Sequence, residues 1–525
     1  MSDVTQMEIV KADIEYYAEG QTNKDVTRNI LNEWRDSQPI KDMQQAEMYY
    51  KVQNTEIDKK TRSYKDEAGK IIENENLSNI KSKTAQYRKS VNQKLNYALA
   101  RPFTISCDND NYQKKWEEFL TDEIRAVIQR VGKNGINKGI GWAYPWINEL
   151  GNLEIIDIQP ETLYPAWHDT AHTELDAMVR DYIMTVYEGL NPVDTHKVEF
   201  WDKTIVEKYI DYSQGEGTNG DLVPDTNGEF ELSEGEEERA TIQQTHMKKQ
   251  NGEGISWDRV PFIFFKGCQD ELPLLNECRT DVDSYDMVKS KAIDSILDDI
   301  DAVLVVESMS PELGELSRAR KMVQNSRIMV VDEGGKAHFE KVNADINAIA
   351  QELELIKKDV QDNTSTVDVT TIKLGTNPSG EAMKSFFEPL NTWCNGYEAE
   401  FRVFMKNLKY FFDKWLSWQG GMGSFEELQK IPVTFTLVRD IMTNESELLD
   451  NINKMADQLS QQTLDEKNPW VESHEKEQQR REDEEKERQE KEELYQFEND
   501  LDDNDNNNPE DNQNNDNDNK NDVQN

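Results

Sequence analysis

The stretch Ser379–Trp418, SGEAMKSFFEPLNTWCNGYEAEFRVFMKNLKYFFDKWLSW, predicts one long amphipathic helix. Its apolar residues recur every three or four positions, which places them in a single stripe. The stripe consists of Met383, Phe386, Leu390, Trp393, Tyr397, Phe401, Phe404, Leu408, Phe411 and Trp415. Ser379 suits the N-cap and Gly420-Gly421 suits the end, so the helix would be roughly 60 Å long.

Pro389 lies inside this predicted helix, where it removes a backbone donor and clashes with the preceding turn. We therefore expect a bend between Ser385 and Leu390. A helix this long and aromatic needs a large partner surface. The stretch taken alone fits equally well a central core helix of some other large domain.

Composition bounds the class of protein. At 525 residues the chain has room for two to four domains. Its formal charge is -44, and residues 475–525, with 20 acids and 7 bases, account for -13 of that, so the rest of the chain is acidic as well. Duplex DNA carries one negative charge per ~1.7 Å, which argues against a protein that clamps DNA tightly. A protein past which DNA slides remains compatible with this charge.

Cysteine spacing and hydropathy narrow the class further. Cys107, Cys268, Cys278 and Cys394 show no CxxC spacing, which argues against a disulfide framework and against zinc. The N-terminal sequence lacks the apolar run of a signal peptide, and no apolar run approaches ~20 residues. The sequence therefore predicts a soluble intracellular protein without membrane spans.

The first half of the chain reads as helices followed by strands. Residues 1–100 look helical, and Tyr112–Val131 predicts one amphipathic helix followed by a glycine-rich loop, GKNGINKGIG. Strand-like patterns follow, and residues 213–256 predict a long exposed loop. The strands are expected at 142–148, 153–158, 178–187 and 197–212, within a mixed α/β domain over residues 101–270.

The second half alternates helices with a compact insertion. Helical spacing recurs over residues 276–300 and again from Asn343, where Ile346, Ile349, Leu353, Ile356 and Val360 form a 3-4 seam. Between them, residues 301–342 predict a strand, a short helix and a hairpin. The acids of residues 276–300 are expected on solvated faces of that helix. Beyond the long helix come a strand at 433–437, a helix at 444–459, a charged helix, and an Asn/Asp-rich tail too polar to fold.

No catalytic constellation stands out. The chain has no G-x-x-x-x-G-K-[ST] motif, and GKNGINKGIG is better read as a helix-to-hairpin turn. His168 and His172 have i,i+4 spacing but lack a third metal ligand. The acid pairs Asp298/Asp299 and Glu484/Glu485 fit solvated helix faces better than Mg²⁺ sites. We therefore expect no enzyme, no cofactor and no metal.

In this order the segments resemble the portal proteins of tailed bacteriophages, of the siphophage head-to-tail connector type. The resemblance spans roughly residues 45–475, and its matching segments are AEMYYKVQNTEI (46–57), YRKSVNQKLNYALARPF (87–103), the hairpin of residues 141–165 ending in IIDIQPETLYP, WDRVPFIFFK (257–266), residues 282–306 with YDMVKS and DAVLVV, SGEAMK (379–384), and residues 433–470 from TFTLVRD onward. No single segment is specific for this family. The order of the segments and the helix-insertion-helix layout together are specific for it. The long acidic loop and the Asn/Asp tail depart from the pattern.

The resemblance implies an α+β, mainly helical portal fold with an α/β wing, a two-helix stem, a small α/β clip, a long kinked helix and a helical crown. The implied parts are an N-terminal helical region of the wing (1–100), the α/β wing (101–270), stem helices (276–300 and 343–362), the clip (301–342), a tunnel loop (363–378), the long kinked helix with a wing strand (379–440), the crown (441–497) and a disordered acidic tail (498–525).

The resemblance also implies a function. The chain would form a ring, commonly a dodecamer, at one capsid vertex of the virion, after assembly in the host cytoplasm. Double-stranded DNA would be packaged and ejected through its channel. Its partners would be copies of itself, the terminase large subunit, a head-completion adaptor, and the major capsid and scaffolding proteins. The alternatives are an acidic helical scaffold and a nucleic-acid-processing enzyme, both without a channel.

Candidate site residues follow from these parts. Lys373 is the one base in the tunnel-loop stretch and the natural phosphate contact, with Thr370, Thr371 and Asn377 beside it. Pro389 is the expected helix kink. The candidate clip docking surface consists of Arg318, Arg320, Lys321 and Arg327, and weaker DNA contacts on the stem are Lys289, Lys291, Lys357 and Lys358.

Overall fold

The structure is a computed structural model. It describes residues 22–65, 70–73, 77–188, 190–212, 221–225, 243–248, 252–298, 302–307, 336–341, 346–371, 380–439, 454–455, 458–468, 471, 474, 477–486, 488–489 and 491. Helices and strands both contribute, as the sequence predicts. The described α-helices are α1 (Asn23–Trp34), α2 (Gln38–Tyr50), α3 (Gln86–Leu99), α4 (Asp110–Phe119), α5 (Asp122–Lys138), α6 (Leu275–Asp298), α7 (Ile346–Asn363), α8 (Gly380–Gln419), α9 (Phe425–Gln429) and α10 (Gln461–Lys467).

The strands form several antiparallel sheets. Their bounds are β1 (Ser63–Lys65), β2 (Ile71–Glu73), β3 (Thr104–Cys107), β4 (Ile140–Ile147), β5 (Leu153–Ile158), β6 (Leu163–Trp167), β7 (Leu175–Glu188), β8 (Asn191–Trp201), β9 (Ile205–Asp211), β10 (Leu222–Pro224), β11 (Gln243–Thr245), β12 (Met247–Lys248), β13 (Gly254–Ile255), β14 (Ile263–Lys266), β15 (Ala302–Glu307), β16 (Lys336–Lys341) and β17 (Val433–Thr436). The largest sheet has the order β10-β9-β8-β7-β6, with β11 also on β9, and a second sheet has the order β14-β4-β5.

An aromatic core joins these two sheets. Trp142 of β4 stacks on Trp167 of β6 with ring centroids 5.8 Å apart, and Phe264 of β14 packs edge-on against both rings. Apolar residues of α1, including Val26 and Ile30, complete the same buried cluster. The alternation of apolar and polar residues along β4 and β5 therefore gives the hairpin that the sequence predicts, with its turn at Asn148–Asn152.

The long helix α8 runs unbroken for 40 residues, which confirms the predicted helix. Phe401, Phe404 and Leu408 of its stripe are fully buried. Phe401 packs edge-on against Phe103, and Phe404 stacks on Phe265 of β14 at 5.2 Å. Pro389 lies inside the helix with its ring exposed, and the predicted bend there stays a prediction.

Two expectations about residues 112–141 are wrong. The predicted single helix is split into α4 and α5, because the Thr121 side chain caps a new helix by accepting the Ile124 N–H. Residues 132–138 of the predicted glycine-rich loop form the second half of α5, Gly139 is its C-cap with φ +87°, and residues 140–141 begin β4. Gly132 is required by close packing, since a Cβ there would lie 2.5 Å from the Tyr397 Oη.

Other boundaries also differ from the predictions. Residues 197–212 form parts of β8 and β9, because Asp202 Oδ1 accepts the N–H groups of Thr204 and Ile205 and so closes a turn. The described parts of the predicted loop 213–256 include the short strands β10 to β13. The hairpin β1-β2 interrupts the predicted helical region of residues 1–100. The strand at 433–437 is confirmed as β17, which pairs with β3.

Residues Thr376–Lys384 and Met442–Asn525 form a separate compact unit. Its described residues include α10, whose N-cap Ser460 accepts the Thr463 N–H. Asp465 is buried and pairs with His474 at 2.9 Å and Arg481 at 2.9 Å. The predicted helix 444–459 and the tail beyond 497 lie mostly or wholly outside the described residues. None of the helices in the described parts combines the length and apolarity needed to cross a membrane.

Candidate functional site

The stem prediction corresponds to the helix pair α6 and α7, which pack against each other. The buried stripe of α6 recurs at nearly every fourth residue and changes character along the helix. Its first half is apolar and its second half is polar, in the order Leu275, Cys278, Val282, Asp286, Ser290 and Asp294. A polar stripe can be buried only if each group finds a partner.

The partners come from the segment of residues 51–84, which lies along α6. Asp286 accepts hydrogen bonds from Asn54 Nδ2 and from Thr84 Oγ1, the latter at 2.6 Å, and burial raises the pKa of this carboxyl. Ser290 Oγ accepts the Ser82 N–H at 2.9 Å. Asp294 pairs with Lys60, whose side chain is also buried.

These contacts correct the expectation that the acids of α6 lie on solvated faces. Asp286 and Asp294 are 0% and 2% exposed, so neither can present charge to a passing polyanion. Asp283 is also engaged, since it accepts the Tyr49 hydroxyl proton at 2.6 Å. The signal that sequence reasoning missed is the match between the every-fourth-residue acids of α6 and the polar segment more than 200 residues earlier.

Helix α7 is far more exposed than α6. Of its predicted seam, Ile356 and Val360 are buried, at 8% and 1% exposure, whereas Ile349 and Leu353 are half-buried. Its exposed acids are Glu352, Glu354, Asp359 and Asp362. The helix pair also leaves large apolar side chains in water: Ile296, Leu297 and Leu355 are 68%, 57% and 57% exposed.

The chain that follows α7 is anchored before it enters the predicted tunnel loop. Thr364 is fully buried and its hydroxyl lies 3.3 Å from the Ser90 hydroxyl of α3. Gln93 of α3 donates to the Val367 carbonyl at 2.8 Å and accepts the Val367 N–H at 3.0 Å. Thr364 and Val367, at the start of the predicted tunnel loop, are therefore fixed to α3, and the extent of that loop stays a prediction.

A charged pair lies one residue further on. Lys357 of α7 donates to Asp368, which also accepts the N–H and hydroxyl of Thr370. Partial burial opposes ionisation of this carboxyl, yet these hydrogen bonds lower the pKa of Asp368 to about 2. Lys357 is thus committed to an internal pair, whereas Lys358 and Lys291 are exposed and Lys289 is half-buried.

Only part of the predicted site is described. Thr370 is exposed and Thr371 ends a short 3₁₀ turn, Val369–Thr371. Lys373 and Asn377 lie outside the described residues, as do the clip residues Arg318, Arg320, Lys321 and Arg327. Within the clip range, β15 pairs antiparallel with β16 from Ala302↔Lys341 to Glu307↔Lys336.

The histidines of the HDTAH segment have separate partners. His168 Nδ1 lies 3.1 Å from Asp176, and His172 Nδ1 lies 2.8 Å from Glu271. No three His, Cys, Asp or Glu side chains among the described residues are grouped to hold a metal ion. The four cysteines are free thiols.

Comparison with known proteins gives a consistent family. The family model described as "Phage portal protein, SPP1 Gp6-like" matches residues 31–491. The portal protein of Bacillus phage SPP1 is 26% identical over 439 residues, which cover 82% of this chain and 80% of that protein. A chain in a solved structure titled "Neck of empty GTA particle computed with C6 symmetry" aligns over 72% of this chain and 88% of its own length, with 11% identity and a TM-score of 0.35.

Proposed function

The chain belongs to the SPP1 Gp6-like family of phage portal proteins, and from this premise we propose that it forms a ring at one capsid vertex through which double-stranded DNA enters and leaves. The family match over residues 31–491 carries the proposal. The portal role places the chain in the virion, after assembly in the host cytoplasm. A dodecamer is the ring size that we expect.

The exposure of the helix pair α6 and α7 supports assembly into a ring. Ile296, Leu297 and Leu355 are each more than half exposed, although fully burying such a side chain stabilises by about 1.5–3 kcal/mol. Side-by-side packing of several copies would cover these residues. A heterologous contact of this kind closes into a ring when the rotation between neighbours allows it.

The charge of α7 supports a channel of low friction. Its exposed acids Glu352, Glu354, Asp359 and Asp362 would repel phosphates and release few counterions on contact. The anchors at Gln93 and Asp368 would hold the start of the tunnel loop while its later residues meet DNA. In this proposal Lys373, flanked by Thr370, Thr371 and Asn377, contacts phosphate.

The clip would serve as the docking platform. Residues 301–342 would bind the terminase large subunit during packaging and the head-completion adaptor afterwards. Arg318, Arg320, Lys321 and Arg327 are the proposed contact residues. The wing would meet the major capsid and scaffolding proteins. The ATP hydrolysis of packaging would belong to the terminase, and this chain would act without catalysis.

Imaging the purified chain tests the ring. Negative-stain images should show rings with a central hole, and class averages would count the subunits. A monodisperse globule without a hole at high concentration would contradict the proposal and favour an acidic scaffold or a nucleic-acid-processing enzyme. The DNA contact has its own test: Lys373→Glu should slow packaging while rings form normally. The matched control is Lys114→Glu, at an exposed lysine of α4, and unchanged packaging in Lys373→Glu would remove Lys373 from the site.

A further inference from the structure

The hairpin β7-β8 extends beyond the sheet to which it belongs. Strand β6 pairs with β7 only up to Arg180, and β9 pairs with β8 only from Lys197 onward. Between these points, the residues from Ile183 to His196 pair only with each other, among the described parts of the chain. We call this segment the ribbon. An isolated two-stranded ribbon in water has marginal stability, so a ribbon of this length needs a surface to lie on.

The ribbon tip is apolar and exposed. Tyr187 and Leu190 are 71% and 96% exposed, and three further large apolar side chains follow the same trend. These three are Ile183, Met184 and Val193. Residues 183–193 contain one charged residue, Glu188, in a chain that is 31% charged. The tip therefore has little polar surface to desolvate, which favours burial against another apolar surface.

A groove of matching character lies elsewhere in the same compact unit, between the start of α5, the edge strand β5 and the end of α8. It has a volume of ≈ 790 Å³, within the range of about 300–1,000 Å³ typical of binding pockets. Its floor is apolar, with Phe119, Ile124, Val127, Leu153, Ile155 and Trp415.

The rim of the groove carries charged side chains, some of which are paired within the chain. Lys115 pairs with Glu118 at 2.6 Å and Arg130 pairs with Asp157 at 2.7 Å. Asn148 donates to Glu154 at 2.6 Å. Glu154 and Glu123, which also line the groove, have no cationic partner in the described parts of the chain, so the rim is acidic. An apolar insert with little negative charge therefore suits the groove better than the other, acidic surfaces of this chain.

We infer that the ribbon tip of one copy inserts Tyr187 and Leu190 into the groove of the neighbouring copy, as one of the contacts that join the ring. A knob and a pocket at different places on one chain form a heterologous contact, which is the kind that generates rings. For a strongly acidic chain, a tip with a single carboxylate also adds little to the repulsion that opposes assembly. The inference rests on the proposed ring.

The first test removes the two inserted side chains, Tyr187 and Leu190 of the ribbon tip. Tyr187→Ser combined with Leu190→Ser changes two exposed side chains, so the fold should survive. The concentration at which half the chains are in rings should rise roughly 100-fold, because two apolar side chains lose their burial. Ile71→Ser, at an exposed isoleucine of hairpin β1-β2, is the matched control and should assemble like the wild type. Normal assembly of the double variant would overturn the contact.

The second test locates the partner surface. Ala126 lines the groove on α5 and is half-buried, so a cysteine fits there. Cys107 and Cys268 are half-buried free thiols, so both are first changed to Ser. In that background the variant with both Ala126→Cys and Leu190→Cys, treated with a short bismaleimide, should give a ladder of covalent oligomers. Each single variant should give none. Rings without a ladder in the double variant would overturn the contact.

The outcomes separate this inference from the function on which it rests. A wild-type chain that forms no rings would overturn the proposed function and the contact together. Wild-type rings that survive loss of the knob would overturn the contact alone. The variant without Tyr187 and Leu190 could also form rings of normal stability that fail to enter capsids. This result would overturn the contact between copies and assign the ribbon tip to a capsid or scaffolding protein instead.

Discussion

The long helix α8 and the helix pair α6-α7 both carry apolar residues at helical spacing, but they differ in how many of these residues the chain itself covers. In α8, Phe401, Phe404 and Leu408 are completely buried by strands and helices of the same chain. In the stem pair, Ile296, Leu297 and Leu355 remain more than half exposed. The comparison teaches that an amphipathic stripe in a sequence predicts burial of its apolar residues. It does not predict whether the covering surface belongs to the same chain or to another copy. We attribute the stripe of α8 to folding, and the exposed apolar residues Ile296, Leu297 and Leu355 of the pair to assembly.

The largest expected effect on stability comes from truncating a buried side chain of α8. Phe401→Ala should lower the free energy of unfolding by about 3–5 kcal/mol, because it leaves a cavity among Phe103, Phe265 and the helix. Chemical denaturation of the monomer measures it. Leu355→Ala, on the exposed face of α7, is the matched control and should change monomer stability by less than about 0.5 kcal/mol. Equal losses of unfolding free energy in the two variants would contradict the distinction between α8 and the helix pair α6-α7.

A smaller effect is expected at the junction that follows the stem. Gln93→Ala removes both hydrogen bonds to Val367 and leaves two backbone groups without those partners, at a cost of about 1–3 kcal/mol. The loss should be concentrated locally, so amide exchange should quicken around residues 364–370 before the rest of the domain is affected. Gln93→Glu keeps the acceptor and should restore part of the protection at the Val367 amide. Uniform protection in Gln93→Ala would show that α3 does not anchor the loop.

The smallest effect is pH-dependent. Asp368 has a pKa of about 2 in the folded chain against an ordinary value of 3.8, so the folded state holds its proton less tightly than the unfolded state. Its contribution is therefore present above about pH 4 and is lost as the pH falls towards 2. Because the pair with Lys357 is partly exposed, we expect about 1 kcal/mol or less. The difference between wild type and Asp368→Asn should shrink over that window, and a constant difference would contradict the assignment.

Local features of this chain were predictable, and features set by distant packing were not. The 3-4 spacing of α8 and the alternation of β4 and β5 identify those elements because each pattern lies within one segment. The burial of Asp286 and Asp294 depends on residues 51–84, more than 200 positions earlier. The close packing that favours glycine at position 132 involves Tyr397 and Leu99. No local sequence pattern shows the burial of these two aspartates or the packing around Gly132.

The same difference between local patterns and distant packing explains which features of the candidate site could be predicted from the sequence. The order of segments identifies the portal family, because order survives where single motifs are weak. Lys357 looked like a free base in the sequence, and its pairing with Asp368 depends on the turn that follows α7. The exposure of the ribbon tip depends on how far β6 and β9 extend beside it, which only the sheet register shows.

Hydrogen–deuterium exchange of α7 compares the stem in single copies with the stem in the assembled particle. Measured on the chain diluted to monomers and again at concentrations where it assembles, peptides from residues 346–363 should become strongly protected on assembly, while those from residues 397–412 of α8 should stay equally protected in both. Unchanged exchange over 346–363 in the assembled particle would show that no neighbouring copy covers the stem and would contradict the account.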